Sequence, residues 1–169
     1  NVGTEDSGAS TNINLSGGDY LSQNLNLNAG SGSITGSVGQ VTGNLNEVGE
    51  AAHFLADTAT LHLGSNCIKG DPTYVNVGGD VVIDGALTAS EDLTVIAAGN
   101  ITASGNAFIS TANSVGGAAV PNTDVTLIAG AGVTTTGTGT GGDNSGSTNT
   151  SGMTVLNGTQ AAVVDFTTG

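Results

Sequence analysis

Asp80, Asp84, Glu91 and Asp92 crowd into one short stretch of the chain, and clustered carboxylates are the groups a general acid–base reaction would use. Such a reaction also needs a cleft and one carboxyl held protonated, whereas acidic residues at strand starts and turns need neither. The turn reading is preferred. His53 and His62 have no Cys, His or acidic neighbour at metal-ligand spacing, so they read as ordinary strand or surface histidines. The single cysteine, Cys67, allows no internal disulfide and reads as a small buried residue of an apolar strand. No glycine-rich stretch has the Gly-Lys-Ser/Thr of a phosphate loop or the nonapeptides of calcium-binding toxin repeats. No catalytic residue and no cofactor are expected.

One pair of carboxylates keeps a link to metal chemistry. "DLTVIAAGNITASG" (92–105) and "DVTLIAGAGVTTTG" (124–137) align without a gap, which places Asp92 and Asp124 at equivalent positions. On adjacent coils the two carboxylates would lie about 5 Å apart and repel by roughly 1 kcal/mol in water. A bound divalent ion such as Ca2+, a raised pKa or a sideways displacement would each relieve that.

The elements that carry these residues are strands. Runs such as "NINLS", "NLNLN", "TLHLG", "YVNVG", "DVVID", "LTVIA", "AFIST", "DVTLIA" and "AVVDF" alternate or are β-branched, and Gly, Asn, Asp or Ser bound nearly all of them. In "NEVGEAAHFLAD" Val48, Ala52 and Leu55 fall at helical spacing, but the segment reads equally as another strand with a turn. Grouped by threes, the runs 74–77, 81–83 and 86–89 form one coil and 93–97, 101–103 and 107–111 the next, at about 20 residues per coil. The repeat at 124 comes 32 residues after Asp92, and the excess is a side loop at 112–123.

Together these features predict an all-β parallel β-helix, or β-solenoid, of about seven coils with three short strands per coil. Leu93, Val95, Val125 and Leu127 should then point inward in columns. The expected organisation is a flexible N-terminal arm at 1–11 and one solenoid domain at 12–169, with side loops at 112–123 and 136–152.

Composition limits the partners. The 169 residues carry 14 acidic side chains against one basic one, Lys69, for a formal charge of −13. Nucleic acid is excluded as a partner for want of cations, and an anionic membrane surface would repel the chain. Hydrophobic residues make up 37% and are nearly all aliphatic, enough for a thin core but not for a disordered chain. No stretch is apolar enough over sufficient length to span a bilayer as a helix. Asn-x-Ser/Thr sequons at Asn14, Asn100, Asn149 and Asn157 are as many as this composition yields by chance.

"GGDVVIDGALTASEDLTVIAAGNITASGNAFIST" followed by "DVTLIAGAGV" resembles the repeats of filamentous haemagglutinin-type secreted surface proteins. The resemblance covers roughly residues 71–133 and implies a right-handed parallel β-helix and an extracellular or cell-surface location. The Asn-Pro-Asn-Gly motif of that family's secretion domain is missing. Polysaccharide-cleaving β-helix enzymes depend on carboxylates together with Arg or Lys, so this chain's lack of Arg argues against that activity.

A solenoid exposes backbone groups and apolar cross-section at each end unless it is capped. Strand patterns begin at Ile13 and Leu15 and persist through Val155, Val163, Val164 and Phe166, with no cap in view. These residues are the expected self-assembly contacts. The expected function is a non-enzymatic subunit of an extracellular filament, joined head to tail to copies of itself by stacking or strand exchange. The alternative is a segment of a long adhesin rod that binds host or matrix glycans, and a polysaccharide-active enzyme ranks last.

Overall fold

The computed structural model describes residues 2–3, 11–105, 107–111, 114–115, 118–119, 123–135, 153–156 and 164–165. In chain order the strands begin with β1 (Val2–Gly3), β2 (Ile13–Ser16), β3 (Asn24–Asn28), β4 (Ser33–Val38), β5 (Asn44–Gly49), β6 (Ala51–Ala56) and β7 (Thr60–Ile68). Next come β8 (Thr73–Asn76), β9 (Asp80–Ile83), β10 (Ala86–Ala89), β11 (Leu93–Ala97), β12 (Ile101–Ala103) and β13 (Phe108–Ser110). The last are β14 (Ser114–Val115), β15 (Ala118–Ala119), β16 (Val125–Ile128), β17 (Gly132–Thr135), β18 (Met153–Leu156) and β19 (Val164–Asp165). No helix occurs among the described residues.

Parallel pairing between strands one coil apart makes the chain a β-solenoid. One face is the six-stranded sheet β16-β11-β8-β6-β4-β2, and a second runs β1-β3-β5-β7-β9-β12-β19. The third face is formed by the far ends of β3, β5 and β7, continued by β10, which pairs with β7, and by β13, which pairs with β10. Six rungs on the first face span about five turns, fewer than the seven expected. β17, which the repeat aligns with β12, does not continue the stack but pairs antiparallel with β18 in a separate two-stranded sheet. In the early coils the second and third faces share one bent strand, and only from β9 and β10 onward does each face have its own. The segment whose spacing also allows a helix, "NEVGEAAHFLAD", instead forms the end of β5 and then β6, two strands with a corner at Glu50.

Alternation sends every second side chain inward, and parallel register stacks like on like. One inward column of the first face runs Leu15, Gly36, Phe54, Tyr74, Val95, Leu127. Phe54 and Tyr74 are fully buried neighbours on successive rungs, and Gly36 keeps the space between Leu15 and Phe54 open. A Cβ on Gly36 would lie 2.8 Å from Leu15 Cβ. The second face stacks Leu25, Leu45, Leu63 and Ile83 in the same way.

The bend from the second face to the third is a β-bulge. Leu45 pairs with Leu63 but Glu47 pairs with Asn66, so β7 carries one extra residue opposite Asn46. A one-residue insertion reverses the side-chain alternation beyond it. Leu61 and Leu63 therefore point inward before the bulge, and Asn66 and Ile68 after it. This corrects the expectation for Cys67: it is exposed, on the outer surface of the third face beside Val48 and Thr88. On the next coil, Gly85 passes directly over this corner, and a Cβ there would lie 2.6 Å from the carbonyl carbon of Gly64.

Extra chain is accommodated outside the stack. Between β13 and β16 it leaves the coil, forms the short antiparallel pair β14 and β15, and returns. The Thr111 hydroxyl bonds that of Thr123 at 2.9 Å across the base of this excursion. The side loop expected at 136–152 lies outside the described residues. Within the expected arm, Val2 and Gly3 pair with Leu27 and Asn28.

Candidate functional site

Among the described residues most acidic side chains lie at corners, the exceptions being Glu47 within β5 and Asp165 in β19. Asp19, Glu50, Asp57, Asp71, Asp84, Glu91, Asp92 and Asp124 all lie between strands, and Asp80 is the first residue of β9. The corner leading into the first face stacks Glu50, Asp71, Glu91, Asp92 and Asp124. Two of these carboxylates accept backbone N–H groups from the next coil. Asp92 N–H donates to Asp71 Oδ1 at 2.9 Å, and Asp124 N–H donates to Asp92 Oδ1 at 2.8 Å. Asn12 does the same for Ser33 at 2.9 Å in the first coil.

The corner leading into the second face repeats the device, with Asp19 accepting from Gln40 N–H at 2.9 Å and Asp80 from Asn100 N–H at 2.7 Å. A short Asp or Asn side chain reaches one coil along and satisfies a backbone donor that no strand partner reaches. Asp92 and Asp124 thus sit on adjacent coils as expected, and the Asp92 carboxylate accepts the backbone N–H of Asp124. Among the described residues no group of three or more His, Cys, Asp or Glu is arranged to hold a metal ion.

Glu91 is pushed above the usual carboxylate range, chiefly by the charge of Asp71, then by slight desolvation and a bond to Asp71, with Asp92 and Glu50 adding to it. Lys69 Nζ lies 3.3 Å from Glu50 Oε2, but both are exposed and such a pair contributes little. If the carboxylates act as acceptors, Asp92→Asn should leave stability nearly unchanged and Asp92→Ala should lower it by about 1 kcal/mol, read by urea denaturation.

The four carboxylates that invited an acid–base reading are divided among three corners. Asp84 Oδ2 is 2.6 Å from His62 Nδ1, Asp80 caps Asn100, and Glu91 and Asp92 belong to the acidic corner. His53 lies on the outer surface of the first face, where desolvation lowers its pKa against the opposing charge of Asp71.

The expected assembly residues separate into three groups. Ile13 and Leu15 lie in β2, the outermost strand of the first face, with their side chains buried inward. At the other end, Val125 occupies the column position above Leu93 but is 43% exposed where Leu93 is 1% exposed. Val155 pairs with Val133 in the antiparallel β17–β18 ladder, and Val164 pairs with Ile101 as the next rung of the second face. Val163 and Phe166 lie outside the described residues.

The sequence reading missed a polar group in the core. Glu47 is fully buried in β5 and points inward between Leu27 and Asn66 on the neighbouring rungs. Burial pushes its carboxyl up to about 8, opposed only by the nearby Tyr74 hydroxyl, and the same burial with Glu47's charge raises Tyr74 well above its ordinary value. The signal was available in "NLNEVG": once Leu45 points inward, alternation takes Glu47 with it.

Comparison with known proteins finds no matching family model, no matching curated protein and no matching solved structure.

Proposed function

We propose that the chain is a non-enzymatic structural subunit of an extracellular or cell-surface filament, joined head to tail to further copies of itself. The observation that supports this reading is the end of the first face. β16 pairs with β11 on one side, no described strand pairs with its other side, and Val125 and Thr126 are exposed there. β2 is the outermost described strand at the opposite end. An edge of this kind presents a row of backbone donors and acceptors, and a second copy offers the matching period, register and column spacing. Because the two ends differ, the contact is heterologous and extends into an open filament. The resemblance of residues 71–133 to haemagglutinin-type repeats fits a surface location.

With a formal charge of −13, copies repel each other until the solution screens them. Light scattering across a salt series should show growth as ionic strength rises, and negative-stain micrographs should show rods of uniform width longer than one subunit. Val125→Asp, which adds a charge at the open rung, should shorten them. A wild-type chain that stays monomeric at every concentration of salt and calcium would overturn the reading.

A further inference from the structure

The third face carries an inward column Leu27, Glu47, Asn66, Leu87, in which two polar side chains lie between aliphatic ones. Asn66 Nδ2 donates to Leu45 O at 3.2 Å and Gly64 O at 3.3 Å, which fixes the amide and leaves its Oδ1 without a donor. The Glu47 carboxyl and the Tyr74 hydroxyl are buried beside each other, with no other hydrogen-bond partner for either. The Tyr74 hydroxyl is one donor for the oxygens of an ionised Glu47 and of Asn66 Oδ1, while the neutral acid supplies a second. No cation compensates an ionised form: the chain's only Lys or Arg is Lys69, exposed and beside Glu50. Leu27 of β3 and Asn66 of β7 are the register partners of Glu47, and Tyr74 of β8 stands beside it. Ile34 and Val38, inward on β4 in the same coil, carry no titratable group. Of all these only Tyr74 titrates, and only in the alkaline range.

We infer that Glu47 is a proton-operated lock in the core: as the neutral acid it completes the stack between β5 and β7, and loss of its proton loosens that stack. Its folded pKa lies above its ordinary 4.5, so the native chain binds more protons than the unfolded chain between there and about 8. The stability due to the proton is therefore complete at low pH and declines as pH rises through that window. This does not depend on filament formation.

The test is urea denaturation of the full chain at pH 5, 7 and 9, for wild type and for Glu47→Gln, whose amide keeps a donor and cannot ionise. The wild-type midpoint should fall from pH 5 to pH 9 and the variant's should fall much less, the other acidic residues cancelling in the comparison. Equal slopes would overturn the inference. Should the variant fail to fold, infrared spectra of wild type still decide it. A protonated carboxylic-acid band that persists at pH 7 and disappears near pH 8 supports the lock, and its absence at pH 6 refutes it.

Discussion

Phe54→Ala should destabilise the chain by about 3–5 kcal/mol, while Leu127→Ala, one end of the same column, should cost clearly less. Phe54 is fully buried, with Gly36 on one rung beside it and Tyr74 on the other. Its removal leaves a void that neither neighbour can fill. The rungs are held at the spacing of parallel strands, so the backbone cannot close in. Leu127 is only partly buried on the terminal rung, where truncation uncovers less and opens no closed cavity. Thermal or urea unfolding of the two variants beside wild type gives the comparison directly. Similar losses at both sites would mean that the terminal rung is as enclosed as the middle of the column.

Gly85→Ala should cost about 1–3 kcal/mol, although alanine is otherwise the mildest replacement. The corner at Gly85 crosses the corner at Gly64, and a Cβ would sit 2.6 Å from Gly64 C and 3.0 Å from Ser65 N. Both are backbone atoms, so no side chain can swing aside and the corner itself must move. That motion would strain the pairing of β10 with β7, which holds Leu87 against Asn66. Gly105→Ala is the control, because nothing lies within 4 Å of a Cβ there. Denaturation midpoints should separate the two, and equal midpoints would remove the close approach as the cause.

Much of the middle of the solenoid could be read from the residues. The gapless match of 92–105 with 124–137 places Leu93 beside Val125 and Val95 beside Leu127, and these are the pairs found. The strands expected between 74 and 111 fall within a residue or two of β8 to β13. In this region most strands have a Gly, Asn, Asp or Ser at or beside at least one end, and β9 to β12 each carry aliphatic residues that face inward. The bulge in β7 was not legible, because "TLHLGSNCI" alternates plausibly in either register and only the partner strand reveals the extra residue. Cys67, a residue type that favours burial, is turned outward by that extra residue. Glu47 was hidden by a different conflict: a carboxylate suggests solvent, and only the stack on either side shows that alternation overrides that preference. Likewise, nothing in the residues of β17 and β18 distinguishes antiparallel pairing from two further rungs. The corner carboxylates were located correctly, but their backbone donors become visible only when successive coils are superposed.

The Thr111–Thr123 bond gives the solenoid a way to vary without refolding. Because the chain departs and returns at one pinned point, the rungs on either side meet as though nothing intervened, and Leu93 still finds Val125. Segments of quite different length and character can therefore be spliced in at that junction while the scaffold beneath stays unaltered, which separates the part of the molecule that must be conserved in shape from the part free to diversify.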